Sequence, residues 1–362
     1  MRSLKTTRFS QLHLLLFGLA SSLVGLFIYL SHAAPNPNLP GDLNNDGRVD
    51  GADLAFLASV WKTNSASADL NGDSIVNGAD LSILLTHYGQ TVSGGGSSSF
   101  RVGVIGNVAG WGTPMQQNVL DIGSKLIRED VGDFALSWAN SHGITDICII
   151  GMSATSGGTA CPIVELDNEP YNSSTWDISG WAQTAMSVAQ QVKAAHPSAK
   201  ILLPVGPPWN NGNVMVNGQW VDCVLAINNA APGIWQYIDG IAIHPYSQPA
   251  GPVPGRFPVL DKWRSNLKAI GHDIPFWVTE VGWPTGGINW PPAQTEQQQA
   301  DYIGQFIDAA KARGDIRAVL VYDLQDYGPR DSNSEHWFGL LHVDFTKKPS
   351  WSVVQQRILA NP

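Results

Sequence analysis

Eight short apolar runs, most of them separated by stretches of helical spacing, constrain this chain more than any other feature. They are Phe100–Ile105, Lys125–Arg128, Asp146–Ile150, Ile163–Leu166, Lys200–Pro204, Gly240–His244, Pro275–Thr279 and Ala318–Tyr322. Amphipathic stretches such as Trp181–Ala195 and Thr295–Arg313 lie between them. Strand followed by helix, eight times over, buries every strand when the sheet closes into a parallel barrel. The span Phe100–Pro362 suits one (β/α)8 TIM barrel, an α/β fold. A doubly wound open sheet would carry a Gly-rich phosphate turn near its first strand, and none is present. One interval departs from the pattern: Gly151 to Pro162 is too short to hold the usual third helix.

In such a barrel the C-terminal ends of the strands carry the chemistry. The fourth run ends Val164-Glu165-Leu166-Asp167-Asn168-Glu169-Pro170, and the seventh ends Trp277-Val278-Thr279-Glu280-Val281-Gly282-Trp283. Glu169 and Glu280 would therefore face each other across the mouth. Two carboxyl groups about 5–5.5 Å apart are what double-displacement glycoside hydrolysis requires, one attacking while the other shuttles a proton. That chemistry calls for no cofactor. The sixth run closes on Ile243-His244-Pro245-Tyr246, between the two glutamates in sequence. Among 14 Trp, those at Trp111, Trp209, Trp283 and Trp337 lie near strand ends, where an indole face can stack on a pyranose ring. Trp283, three residues past Glu280, is the first candidate for that role.

The front of the chain carries a repeat. Asp42 through Asp53 recurs 27 positions later as Asp69 through Asp80. Twelve-residue loops that place oxygen donors at alternate positions can surround a calcium ion, which takes six to eight hard ligands. Positions 1, 3, 5 and 12 hold Asp42, Asn44, Asp46 and Asp53, then Asp69, Asn71, Asp73 and Asp80. Arg48 and Ile75 at position 7 offer carbonyls, and Asp50 and Asn77 at position 9 act directly or through water. Gly47 suits the sharp turn at position 6 better than Ser74, so the second of the two expected Ca2+ sites is the weaker. Each loop precedes an apolar helical stripe, Leu54, Phe56, Leu57, Trp61 and Leu81, Ile83, Leu84, Tyr88, expected to pack together. So small a core needs its metal.

These residues carry two resemblances. Residues 41–89 resemble a type I dockerin, which implies calcium binding and attachment to a cohesin. Members of that family often place Ser-Thr at loop positions 10 and 11; this chain has Gly51-Ala52 and Gly78-Ala79, which leaves another surface scaffold or a spacer role open. Residues 100–362 resemble the clan of retaining (β/α)8 glycoside hydrolases with catalytic glutamates on strands four and seven, which includes cellulases, mannanases, β-xylosidases and β-1,3-glucanases. That resemblance implies Glu169 as acid/base, Glu280 as nucleophile and Asn168 on the sugar 2-hydroxyl. It places His244 and Tyr246 around the nucleophile and Arg128 at the end of strand two, holding the nucleophile ionised; pairing of Arg128 with Glu129 or Asp130 is the alternative. Phe338-Gly339-Leu340 and Lys348-Pro349 resemble the clan's closing loop and helix. Where many relatives set a Trp beneath the sugar, this chain has Tyr322. A carbohydrate-binding protein without turnover, or a scaffold component with an inactive barrel, are the other classes the sequence allows.

Charge and targeting complete the outline. The net charge of −9 is concentrated in the front repeat, and no basic patch points to nucleic acid. Arg2, Lys5 and Arg8 precede an apolar run from Leu14 to Leu30 and a Ser31-His32-Ala33 cleavage signal. Residues 1–34 are thus read as a signal peptide or an uncleaved membrane anchor, and the body as secreted or extracellular. Residues 90–99, with Gly94-Gly95-Gly96-Ser97-Ser98-Ser99, form a linker. The three cysteines, Cys148, Cys161 and Cys223, are odd in number and show no framework spacing, so all are expected as buried thiols and disulfides as absent.

Overall fold

The computed structural model describes residues 39–43, 49, 51–65, 68–90, 100–106, 112–130, 133–152, 161–172, 176–206, 210–246, 257–288, 292–328 and 331–361. Two compact units make up the chain, Met1–Ser97 and Ser98–Pro362. The N-terminal targeting segment and the Gly/Ser linker lie outside the described residues. No helix among the described residues is long and apolar enough to cross a membrane.

In the front unit the sequence repeat becomes a structural one. Helices α1 (Gly51–Ser59) and α2 (Gly78–Thr86) each follow one loop. Val49 N donates to Gln90 O at 3.0 Å and Gly89 N to Val49 O at 2.8 Å. The matching bonds from the other copy are Val76 N to Thr63 O and Lys62 N to Val76 O, both 2.8 Å. Leu39, Leu43, Val49, Leu57, Ala68, Val76 and Leu84 form the core. Gly41 holds a positive φ of +104°, which favours glycine, and a Cβ there would lie a tight 3.1 Å from the Leu84 backbone. The two helical stripes contribute less than expected: Leu57 and Leu84 are buried, but Trp61 and Tyr88 at the ends of the stripes are exposed. The loop residues Leu43, Val49 and Val76 take the places those rings were expected to fill.

The second unit is a closed parallel barrel. Its strands are β1 (Arg101–Ile105), β2 (Leu126–Asp130), β3 (Thr145–Ile150), β4 (Ile163–Leu166), β5 (Lys200–Pro204), β8 (Gly240–Ile243), β9 (Phe276–Val281) and β10 (Ile316–Val321), neighbours in that order, with β10 closing on β1. An antiparallel hairpin, β6 (Asn213–Val216) and β7 (Gln219–Asp222), is inserted after β5. Helices α3 (Thr113–Ile122), α4 (Asp133–Ser141), α5 (Ile178–Ala195), α6 (Cys223–Ala230), α7 (Pro258–Ala269), α8 (Glu296–Arg313) and α9 (Pro349–Leu359) cover the outside. Local signals set their ends. Thr295 and Gln298 make a reciprocal capping box on α8, and Gly314 closes it in the left-handed region.

Between β3 and β4 no helix occurs among the described residues. At this gap the structure overturns the expectation of free thiols, because Cys148 on β3 and Cys161 just before β4 form a disulfide, with Cα atoms 6.2 Å apart. Both side chains face the outer apolar layer, so the bridge ties and covers two strands at the point where a helix would otherwise pack. Cys223 is a buried free thiol, as expected.

Inside the barrel, Leu126, Ile147, Ile163, Leu202, Ala242, Trp277, Ala318 and Leu320 form a separate apolar plug. Trp277 is accommodated by Gly240, where any Cβ would collide with its ring and with Leu202. This plug is the floor on which the site rests.

Candidate active site

Strand alternation decides which side chains reach the barrel mouth. Two positions beyond a plug residue, a side chain faces the same lumen one step nearer the C-terminal end. That rule leads from Leu126 to Arg128, Ile163 to Glu165, Ala242 to His244, Trp277 to Thr279 and Leu320 to Tyr322. Glu280 breaks the alternation by joining Thr279 in the site. The β9–β10 pairing shifts register twice along this stretch, an irregularity that re-aims side chains. Glu169 reaches the mouth from the loop after β4, where Asp167 (φ +75°) and Glu169 (φ +47°) both hold left-handed backbone. The Asp167 carboxylate fixes this loop by accepting from Asn168 N at 2.9 Å and from Trp181 Nε1 on α5 at 3.0 Å. Uncommon backbone conformations held by neighbouring structure are typical of functional loops.

The sequence-predicted residues converge. Glu169, His244 and Glu280 each present an oxygen or nitrogen within 4.8 Å of the others. Arg128 Nη1 donates to Glu280 Oε2 at 3.2 Å, and Tyr246 OH donates to Glu280 Oε1 at 2.8 Å. Asn168 Oδ1 accepts from Arg128 Nη2 at 2.8 Å, which orients its exposed amide. On the other side, Asn172 Nδ2 donates to Glu169 Oε2 at 2.5 Å.

Beneath the two glutamates lies a buried relay. Arg128 binds Glu165 from Nε at 2.7 Å and from Nη2 at 3.2 Å. Thr279 Oγ1 donates to Glu165 Oε1 at 3.1 Å, and His244 Nε2 lies 3.1 Å from the Thr279 hydroxyl. His244 Nδ1 lies 2.8 Å from Glu169 Oε1 and 3.6 Å from Glu280 Oε2. Burial alone would lower the His244 pKa, but the charge of Glu280 and the bonds to Glu165 and Glu169 outweigh it and raise it to about 9. At neutral pH the ring is therefore an imidazolium that donates from both nitrogens. Burial also works against an ionised Glu165, and the Arg128 guanidinium overcomes it, holding this carboxyl at about 2. The Tyr246 hydroxyl is kept protonated by its burial and by the adjacent Glu280. The Glu169–His244–Glu280 atoms are already engaged with one another and with neighbours, His244 through Glu169 and Thr279 and Glu280 through Arg128 and Tyr246.

Two aromatic expectations are corrected or refined. Trp283 is only 1% exposed and packs edge-on against Tyr302 and Phe306, under α8; it belongs to the core and not to the cleft. The turn through Gly282 carries it inward: a Cβ at Gly282 would run into the Tyr322 carbonyl, so the chain lies against the barrel wall there. Tyr322 does reach the mouth, with its ring 5.1 Å from Phe338 and its hydroxyl 2.7 Å from that of Tyr327. Trp337 is half-buried and donates to Asp331 O at 3.2 Å. Trp111 and Trp209 lie outside the described residues.

Sequence reasoning did not single out Glu165, Thr279, Asn172 or Asp323. Glu165 and Thr279 were legible in principle as the positions four before Glu169 and one before Glu280, on interior-facing steps of their strands. Asp323, following Tyr322, is pushed up to about 8 by burial, reinforced by the charge of Glu280. It therefore stays largely protonated beside the site at neutral pH.

The second calcium-type loop is also formed. Asp69 accepts from the backbone N–H of Gly72, Asp73 and Ser74 at 2.7–3.1 Å. Asp80 accepts from Leu70 N at 2.7 Å and Asn77 N at 2.8 Å, and Asn71 and Asn77 both turn their amides toward Asp73. Asp53 repeats the Asp80 contact in the first loop, accepting from Leu43 N at 2.8 Å. Asp42, Asp53 and Asp80 are buried. Asn44, Asp46, Arg48 and Asp50 lie outside the described residues. In the second loop the donors are carboxylate, amide and carbonyl oxygens, that of Ile75 among them, a hard set that fits calcium.

Comparison with known proteins agrees with both units. Residues 40–87 match the dockerin type I domain, a class of calcium-binding module that pairs with cohesins. No curated protein sequence matches the chain. The barrel is similar to a family 39 glycoside hydrolase from the gut symbiont Bacteroides cellulosilyticus, at 20% identity and TM-score 0.54, covering 76% of this chain and 66% of that one. It is also similar to a β-D-glucuronidase from Dictyoglomus thermophilum (14% identity, TM-score 0.52, 73% of this chain and 51% of that one). A family 2 β-galacturonidase from Eisenbergiella tayi is another neighbour (13% identity, TM-score 0.51, 72% and 51%). The chain thus spans half to two thirds of the length of these structures, and at these identities the likeness is one of fold.

Proposed function

We propose that the barrel is a retaining glycoside hydrolase acting on a β-linked polysaccharide or oligosaccharide. One observation carries this reading: a carboxylate oxygen of Glu169 and one of Glu280 lie within 4.8 Å of each other, nearer to the separation of about 5–5.5 Å used in double displacement than to the about 6.5–9.5 Å of inverting enzymes. Glu280 attacks the anomeric carbon to form a glycosyl ester. Glu169 protonates the departing glycosidic oxygen, then takes a proton from the water that hydrolyses the ester. Arg128 and Tyr246 orient Glu280 and disperse its charge, and the His244 imidazolium steadies Glu169. Asn168, its carbonyl fixed by Arg128, turns its amide toward a sugar hydroxyl.

The front module is proposed to bind two calcium ions and to attach the enzyme to a cohesin or another extracellular scaffold. Gly51-Ala52 and Gly78-Ala79 at the partner-facing loop positions set it apart from the usual Ser-Thr surface. An extracellular location is supported by the dockerin match and by the Cys148–Cys161 bridge, since such bonds persist in oxidising compartments.

The test is turnover of a panel of aryl β-glycosides by wild type, Glu280→Ala and Glu169→Ala. The reading expects wild-type hydrolysis, loss of both steps in Glu280→Ala, and in Glu169→Ala a turnover that depends on leaving-group acidity. Equal activity in all three proteins would overturn it.

A further inference from the structure

The hairpin β6–β7 has no part in the chemistry described above, yet it sits in the connection leaving the C-terminal end of β5, on the face where the active site opens. Asn217 and Gly218 turn it, both in the left-handed region at φ +48° and +79°, the two-residue turn that matches strand twist. Its two faces differ sharply. Val214 is buried, and Val216 and Val221 pack on the barrel core. On the opposite face Met215 and Trp220 are direct cross-strand partners, 49% and 62% exposed. Trp220 is the most exposed aromatic side chain among the described residues.

The base of the hairpin is anchored to α7. Lys262 Nζ on α7 donates to Asn211 O at 2.7 Å and to Asn213 Oδ1 at 2.8 Å, and pairs with Asp222 at 3.0 Å. Asp222 also caps α6 through Val224 N. The same connection begins at Gly206, which must lack a side chain because the Tyr171 ring lies against it. Tyr171 belongs to the loop that carries Glu169, so the hairpin is rooted beside the acid/base side of the site.

We propose that Trp220, backed by Met215, is a sugar-stacking platform for a distal pyranose of a polymeric substrate, so that the enzyme grips a chain extending away from the scissile bond. This proposal rests on the glycosidase reading. A flat indole beside a thioether presents an apolar plane suited to the C–H face of a pyranose. Two side chains flanked by Asn217, Gly218 and Gln219 fall far short of the roughly 800 Å² per partner that a stable protein interface buries. The Lys262–Asp222 ion pair at the base of the hairpin is internally neutralised.

The test is affinity electrophoresis of the full chain in gels containing mixed-linkage β-glucan, glucomannan, xylan or β-1,3-glucan, with Glu280→Gln as the parent so that nothing is cleaved. At least one polymer should retard the parent, Trp220→Ala should bind it about tenfold more weakly, and Trp220→Phe should recover most of the loss, as expected for stacking. Equal retardation of parent and Trp220→Ala would overturn the proposal, as would no retardation by any polymer. A change in oligomeric state caused by Trp220→Ala would assign the face to a second copy and overturn it too. Aryl glycoside turnover by wild type separates the two readings: if it is absent the glycosidase reading fails, whereas normal turnover with unchanged polymer binding in Trp220→Ala refutes the platform alone.

Discussion

Arg128 grips Glu165 from two guanidinium nitrogens, Nε to Oε2 at 2.7 Å and Nη2 to Oε1 at 3.2 Å, with both side chains sealed from solvent. The fork fixes the plane of the guanidinium, and that plane sends Nη1 to Glu280 and Nη2 to Asn168. A residue on β4 thus sets the geometry of Glu280 on β9, the proposed nucleophile, through Arg128. Planar, bidentate pairing of this kind is what Lys cannot supply.

Glu165→Gln should therefore damage both stability and rate. Removing one partner of a buried pair leaves the other uncompensated, at a cost of about 3–5 kcal/mol. Thermal unfolding should show a midpoint several degrees lower, and kcat on an aryl glycoside should fall with little change in KM, because the loss lies in orientation of Glu280.

His244 sets a pH window for stability. Its pKa in the folded chain is about 9 against an ordinary 6.5, so its contribution is fully present below pH 6.5 and is lost as pH rises through 9. Urea midpoints should fall across that interval. His244→Asn should be less stable than wild type at pH 6, and the gap between the two should narrow by a few kcal/mol toward pH 9.5.

Asp146 adds a second loss of stability with rising pH, from burial of an acid and not from loss of a cation. It is buried on the outward face of β3, its Oδ1 has no hydrogen-bond partner among the described residues, and burial pushes its carboxyl up to about 7. The folded chain prefers the neutral acid, so the cost of ionisation accumulates between pH 3.8 and about 7 and stays constant above. Asp146→Asn should be close to neutral at pH 4 and stabilising at pH 8, as read by the same urea titrations.

How much of this was legible in the sequence depends on the kind of signal. All eight barrel strands fall within a few residues of their apolar runs, because β-branched and leucine-rich segments buried on both faces leave a continuous trace. Glu169 and Glu280 were legible because each follows an apolar strand at the barrel mouth, whereas Arg128, Asn168, His244 and Tyr246 were marked by the family resemblance. Trp283 was not legible, since whether an aromatic after a strand turns inward or outward depends on backbone approach at Gly282. The Cys148–Cys161 bridge was also illegible: thirteen residues of spacing say nothing until β3 and β4 lie side by side. In the front module, burial of Leu43 and Val49 in place of Trp61 and Tyr88 follows from the bonds that tie each loop to the far end of the other copy.

Ser74 gives a test of the metal module. It occupies position 6 of the second loop with φ +69°, a conformation that costs an L-residue about 1–2 kcal/mol and glycine little. Ser74→Gly should raise the calcium affinity of one of the two proposed sites severalfold in a calorimetric titration. Chelator should unfold the front module while leaving the circular dichroism of the barrel in place.

Stereochemistry tests the central claim most directly. Proton NMR of the sugar first released, followed from mixing on whichever β-glycoside the enzyme cleaves fastest, should show the β anomer appearing before mutarotation yields the α. If the α anomer appears first, a single displacement through water has occurred, and the paired action of Glu169 and Glu280 described here is contradicted.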